Sequence, residues 1–169
     1  VSGGKAMRGP QSAGLLMGRK RFIDGARLSM PPRGFNIGRG MKVNKEEIFG
    51  MYVALEKFIN EDHDKVWKDW EDRTATVANE VKKVAGVTTE VTVPKLGNVT
   101  PNLHISWDEQ QVALTGQELA ERLRNGNPSI EIVPARGSKV WLTVWMMLPG
   151  EEKIVAKRIR EELTKATVA

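Results

Sequence analysis

Gly86-Val87-Thr88-Thr89-Glu90-Val91-Thr92-Val93 is where the pattern of this chain changes. Before it, apolar residues recur at helical spacing. Within it, Val87, Thr89, Val91 and Val93 alternate with Thr88, Glu90 and Thr92, the period of two that marks a half-buried strand. Downstream, Leu103, Ile105 and Trp107 share one face of a second strand over 102–107. Thr115 with Glu118 three residues later forms a capping box and opens a short helix to Arg124. Residues 129–133 and 139–147 read as two more strands, the latter with Trp141 and Trp145 on one face. Pro149-Gly150-Glu151-Glu152 then leads into a last amphipathic helix ending near Lys165, with Ile154, Ile159 and Leu163 on its apolar side. The order strand, strand, helix, strand, strand, helix predicts a small α+β domain, a short antiparallel sheet backed by helices.

Upstream, Gly86 stops a long helix over 62–85 that carries Val66, Trp70, Val77, Val81 and Val84. An earlier helix starts from Asn44 as N-cap, with Lys45-Glu46-Glu47 in its first turn and Ile48, Met51, Tyr52, Leu55, Phe58 and Ile59 at helical spacing. Residues 30–42 hold Pro31, Pro32, Gly34, Gly38 and Gly40 and must be irregular. Residues 19–28 read as a short helix, 13–18 (Ala-Gly-Leu-Leu-Met-Gly) as a buried strand and 1–14 as loop. The first 42 residues stand apart from the strand-rich unit and read as the tail of a preceding α/β domain. Residues 43–85 are then connecting helices and 86–169 the small domain, giving an α/β chain overall.

The chain has 169 residues, 40% hydrophobic and 28% charged, a balance that supports a folded core. Cysteine is absent, which excludes disulfides, thiolate metal sites and a cysteine nucleophile. His63 and His104 are isolated, so no metal is expected. No apolar run approaches the ~20 residues of a membrane span, and no signal peptide is evident, so cytoplasm is the expected compartment. The chain starts without an initiating Met, inside what reads as a functional loop, as a fragment or a processed chain would. The five tryptophans (Trp67, Trp70, Trp107, Trp141, Trp145) occupy apolar positions and read as core or dimer contacts.

The net charge is +5, and the excess is early. Residues 1–45 carry Lys5, Arg8, Arg19, Lys20, Arg21, Arg27, Arg33, Arg39, Lys42 and Lys45 against Asp24 alone. This basic stretch coincides with the glycine-rich one, which favours binding of a small anion; a solvated basic face is the plainer alternative. An interleaved aromatic–basic pattern for nucleic acid is missing.

Lys5 lies in that stretch, in Ser2-Gly3-Gly4-Lys5. A lysine amine forms Schiff bases with carbonyls, and pyridoxal phosphate is its commonest biological partner. The loop is not a phosphate-binding P-loop, because the lysine precedes the later glycines. Three further stretches accompany it: Arg8-Gly9-Pro10-Gln11-Ser12-Ala13-Gly14, Gly18-Arg19-Lys20, and Gly38-Arg39-Gly40-Met41-Lys42-Val43 with Lys45-Glu46-Glu47. Together they resemble the selenocysteine-synthase-like branch of pyridoxal-phosphate enzymes with the aspartate aminotransferase fold (fold type I). That branch includes L-seryl-tRNA(Sec) selenium transferase and D-glucosaminate-6-phosphate ammonia-lyase. The resemblance is densest over residues 1–60 and continues more loosely through Asn127-Pro128-Ser129-Ile130 and Leu148-Pro149-Gly150-Glu151. It covers the C-terminal portion of such an enzyme.

The resemblance implies that Lys5 forms the Schiff base with pyridoxal phosphate and serves as the base at the substrate α-carbon. Ser2 falls where such enzymes place a hydroxyl near the cofactor phosphate. Gly9, Pro10 and Gln11 would shape the loop beneath the cofactor, although a plain turn explains Gly9-Pro10 equally well. Arg39 and Lys42 match basic groups that hold an anionic substrate group. Lys42 stands where an arginine is usual, a departure that counts against selenophosphate and remains compatible with a phosphorylated amino-sugar acid. Arg136, in Pro134-Ala135-Arg136-Gly137, lies near a carboxylate-binding position, or is simply a surface turn. The implied activity is lyase chemistry, by elimination, ammonia loss or dehydration, on an amino acid or phosphorylated amino-sugar acid. The alternatives are selenium transfer to seryl-tRNA, the one reading that brings in tRNA, or an inactive C-terminal fragment or interaction domain. A homodimer or higher homo-oligomer is also implied.

Overall fold

The computed structural model describes residues 1–31 and 34–168. Pro32 and Arg33, part of the proline–glycine segment and of the basic set, lie outside the described residues. The chain divides into two compact units, Val1–Asp62 and His63–Ala169.

Unit 1 contains α1 (Lys20–Leu28), a single 3-10 turn (Ile37–Gly40) and α2 (Lys45–Asn60). Asn44 is the N-cap of α2 in extended backbone, but its side chain makes no cap hydrogen bond; Glu46 and Glu47 stand in the first turn, where the helix dipole favours them. The strand expected over 13–18 does not form. Gly14 bridges Ser2, Leu15 exchanges hydrogen bonds with Val1, and Leu16 and Met17 are exposed. An apolar run without a neighbouring strand has nowhere to place its backbone donors and acceptors.

Unit 2 holds α3 (His63–Val81), β1 (Val87–Thr92), β2 (Asn102–Trp107), α4 (Gly116–Arg124), β3 (Val133–Pro134), β4 (Lys139–Thr143) and α5 (Glu151–Lys165). The strands form one antiparallel sheet in the order β1-β2-β4-β3, as the alternation predicts. Leu103, Ile105 and Trp107 of β2 and Val140 and Leu142 of β4 are buried in one core with Val77 and Val81 of α3, Leu119 and Leu123 of α4, and Ile159 and Leu163 of α5. The Trp107 indole N–H donates to the Leu114 carbonyl at 2.7 Å, so its burial leaves no orphan donor. The capping box of α4 is present: Thr115 Oγ1 accepts from the Glu118 N–H, and the Glu118 carboxylate accepts from the Thr115 N–H.

Four expectations are corrected here. α3 ends at Val81 rather than 85; residues 82–86 form turns, with Gly86 at φ 78°, a value that suits glycine. In the segment 129–133, Ile130 and Ile132 are buried, but only Val133 joins the sheet. The Ile130 N–H donates to Leu123 O and the Ser129 hydroxyl to Arg124 O, which ties the segment to the end of α4 instead. β4 stops at Thr143, where the chain turns through a Met147 N–H to Val144 O bond, so Trp145 shares no strand face with Trp141. On α5, Ile154 is exposed; Val155, Ala156, Ile159 and Leu163 face the core.

Candidate active site

Lys5 sits at the tip of a loop closed by its own backbone. Val1 and Leu15 pair at its base through Leu15 N–H to Val1 O at 2.9 Å and the Val1 amino group to Leu15 O at 2.7 Å. Above them the Gly3 N–H donates to Ala13 O and the Gly9 N–H to Gly3 O, both at 2.9 Å. The Arg8 N–H closes a turn onto Lys5 O at 2.8 Å, and Arg8 takes φ 53°, in the left-handed region. The Lys5 side chain is exposed, as is Ser2.

One stripe of α2 seats this loop. Gly50, Met51 and Ala54, with Glu47 one turn earlier, lie on one helical face. The Ser12 hydroxyl donates to the Glu47 carboxylate. A Cβ on Gly3 would collide with Met51 Sδ and lie 2.9 Å from Ala13 O, and one on Gly9 would lie 3.0 Å from Met51 Sδ and 3.2 Å from Ala54 Cβ. From the helix side, a Cβ on Gly50 would lie 2.8 Å from Pro10 Cγ. The loop backbone therefore rests directly on the helix, and Met51 and Ala54 are buried beneath it. Sequence periodicity places Met51 on the apolar face of α2. It does not reveal what Met51 touches, although the small pair Gly50 and Ala54, four apart, is the signal that something packs closely there.

The remaining expected site residues fall in three places. Arg39 is exposed in the 3-10 turn, and Lys42 is exposed in the extended segment before α2; both belong to unit 1 with Ser2 and Lys5. Asn36, which precedes that turn, donates its amide to the carbonyls of Leu28 and Met30 at 3.3 and 3.2 Å, and so fixes the segment to the end of α1. Arg136 belongs to unit 2, exposed in the β3–β4 hairpin, where Thr115, Gln117 and Gly137 line a shallow groove with it. His104 lies on the sheet face opposite the core, its Nε2 2.9 Å from Thr92 Oγ1 and its ring 6.5 Å from that of Trp141. Among the described residues no three His, Asp or Glu side chains group as metal ligands, and no helix is long and apolar enough to cross a membrane.

The fold of this chain also occurs as part of a longer lyase chain. The structure aligns with a solved D-glucosaminate-6-phosphate ammonia-lyase at a TM-score of 0.68 over 97% of this chain and 42% of that one; at 21% identity this shows the fold. In sequence, the chain is 25% identical over 165 residues to the D-glucosaminate-6-phosphate ammonia lyase of Salmonella typhimurium, covering 95% of this chain and 42% of that protein. It is also 24% identical over 169 residues to a 5'-C-glycyluridine monooxygenase-decarboxylase of a Streptomyces species, covering 96% of this chain and 40% of that protein. No family model matches the chain. The chain is thus a relative of the ammonia-lyase, as its motifs imply, and it spans about two fifths of the length of the curated relatives it matches.

Proposed function

We propose that the chain belongs to a pyridoxal-phosphate-dependent lyase of fold type I, acting on a phosphorylated amino-sugar acid. Residues 1–42 are then the tail of the large cofactor-binding domain, 43–85 connecting helices and 86–169 the small domain. The observation that carries this reading is the Lys5 loop: an exposed primary amine at the tip of a loop held by backbone hydrogen bonds and seated on α2. Such an amine fits a carbonyl-bearing cofactor, and the exposed cations Arg39 and Lys42 fit a phosphorylated substrate.

When bound, pyridoxal phosphate supplies an electron sink for the charge left at the substrate α-carbon. Lys5 would hold the cofactor through its side-chain amine and would serve as the base for the substrate α-proton. Ser2 would supply a hydroxyl to the cofactor phosphate. Arg39 and Lys42 bind the anionic end of the substrate, Arg39 through its planar fork and Lys42 as a point charge. Elimination is preferred over selenium transfer because the ammonia-lyase is the relative that both sequence and fold comparisons return. The cytoplasm and a homo-oligomer complete the proposal.

The test is direct. Pyridoxal phosphate added to the protein gives an absorbance band near ~420 nm, the expectation for a lysine linkage. Borohydride traps the adduct on the Lys5 peptide, and D-glucosaminate-6-phosphate releases ammonia. Absence of the band, or a band that survives Lys5→Ala, removes Lys5 from the reaction.

A further inference from the structure

Arg8 is the one non-glycine residue with a positive φ among the described residues, at 53°. A side chain in that region costs free energy that glycine does not. The loop uses glycine at positions 3, 4, 9 and 14, yet carries arginine at 8. A strained residue of this kind persists where its surroundings hold it.

The packing of the loop shows what holds it. From Gly9 to Ser12 the chain runs along α2 toward the helix N-terminus. Gly9 lies against Ala54, Pro10 against Gly50, and the Ser12 hydroxyl donates to Glu47 in the first turn. Arg8 comes one residue earlier, at the other end of this contact, and lines a cavity with Lys57, Phe58 and Glu61 of the last turn of α2 and its C-cap. Glu61 ends α2 in extended backbone, without the left-handed turn that commonly closes a helix. The negative pole of the helix dipole and the Glu61 carboxylate both favour a cation there. Lys57 is the like charge, and its side chain is exposed.

We propose that Arg8 is a positioning residue for Lys5. Its guanidinium fastens one end of the loop to the C-terminal end of α2, as Ser12 fastens the other end to Glu47. This clamp holds the left-handed backbone that brings the Arg8 N–H onto Lys5 O at 2.8 Å. The turn closed in this way sets the direction in which the Lys5 amine leaves the loop. The proposal rests on the reading of Lys5 as the cofactor lysine, whereas the clamp itself requires no cofactor.

Arg8→Gly is the test, because a clamp and a plain turn predict opposite signs. Glycine takes a positive φ without strain, so in a plain turn the change tightens the loop, by about fivefold. With a clamp, the lost cation at the helix end outweighs that relief and the loop loosens, by about threefold. The measurements are backbone hydrogen exchange at residues 8 and 9, read as protection factors, and the equilibrium of pyridoxal phosphate with the protein, read near ~420 nm. Arg8→Gly is expected to lower the protection of both amides and the adduct constant by the same factor. Arg8→Lys, which keeps the cation on a long stem, is expected to restore most of both. Equal or higher protection in Arg8→Gly overturns the proposal, and so does an Arg8→Lys protein no better than Arg8→Gly. Lower protection with an unchanged adduct constant also overturns it, because the clamp then does not position the amine. A wild-type protein that forms no adduct overturns the reading of Lys5 instead, and exchange alone then decides the clamp.

Discussion

Replacing Gly50 with alanine sets two effects of opposite sign against each other. In a helix interior the change removes a flexible residue and adds about 1 kcal/mol of helix stability. In α2 it also places a methyl group 2.8 Å from Cγ and 3.4 Å from Cδ of Pro10. A proline ring cannot rotate out of the way, so the loop or the helix must shift, and overpacking of this kind costs about 1–3 kcal/mol. The net expectation is a loss of about 1 kcal/mol in seating the Lys5 loop, a factor of about five in its opening equilibrium. The assay is hydrogen exchange at the Gly3 and Gly9 amides, which donate to Ala13 O and Gly3 O across the loop. Both should exchange about fivefold faster in Gly50→Ala. Gly25→Ala on α1 is the control: among the described residues nothing beyond its chain neighbours and its own helix backbone lies within 4 Å of the added methyl, so it should only stabilise its helix. Unchanged or slower exchange at Gly3 and Gly9 in Gly50→Ala would refute the seating of the loop on α2.

The other predictions concern the cap of α4 and the basic turn. Thr115→Ala should cost unit 2 about 1 kcal/mol in denaturant unfolding, and Thr115→Ser much less. The Glu118 carboxylate is held below the ordinary 4.5, first by the Thr115 backbone N–H and then by its hydroxyl. Its folded pKa lies under the unfolded one, so its stabilisation is complete above pH 4.5 and is lost as pH falls through the lower folded value; Glu118→Gln should flatten that part of the profile. Under the proposed function, Arg39→Ala should weaken binding of a phosphorylated amino-sugar acid such as D-glucosaminate-6-phosphate about tenfold or more in calorimetry, the scale of a charged hydrogen bond; Lys42→Gln should act in the same direction.

What the sequence reveals follows the range of the interactions involved. The α4 cap is legible because Thr115 and Glu118 are three residues apart and satisfy each other. β2 is legible because alternation of Leu103, Ile105 and Trp107 with polar residues needs only one buried face. Residues 129–133 alternate just as well, and Ile130 and Ile132 are buried, yet the backbone bonds to α4 and leaves the sheet. Burial pattern and hydrogen-bond partner are separate quantities, and only the first has a local signature. The site divides in the same way. Lys5 and its glycines can be picked out as a local run. The stripe Glu47, Gly50, Met51 and Ala54 cannot, because its meaning lies in residues some 40 positions away in the chain, Gly3 and Gly9 among them.

That stripe bears on how the two units are stabilised. Unit 2 closes a core in which Leu103, Ile105, Leu119, Leu123, Ile159 and Leu163 are fully buried. Among the described residues of unit 1 the buried apolar side chains are Met51 and Ala54, while Phe35, Ile37, Met41 and Phe49 stand largely exposed. Burial contributes roughly 25 cal/mol per Å² of apolar surface, so unit 1 gains little from it. The Lys5 loop is then held by a few backbone hydrogen bonds and by close contact with α2, and each of those contacts carries a large share of what fixes the amine. Lys5→Ala removes the amine, whereas Gly50→Ala keeps the amine and moves it. If the reading of the loop is right, the second variant loses the pyridoxal-phosphate adduct in proportion to its faster exchange at Gly3 and Gly9. A purely chemical role for an untethered lysine predicts no such proportion.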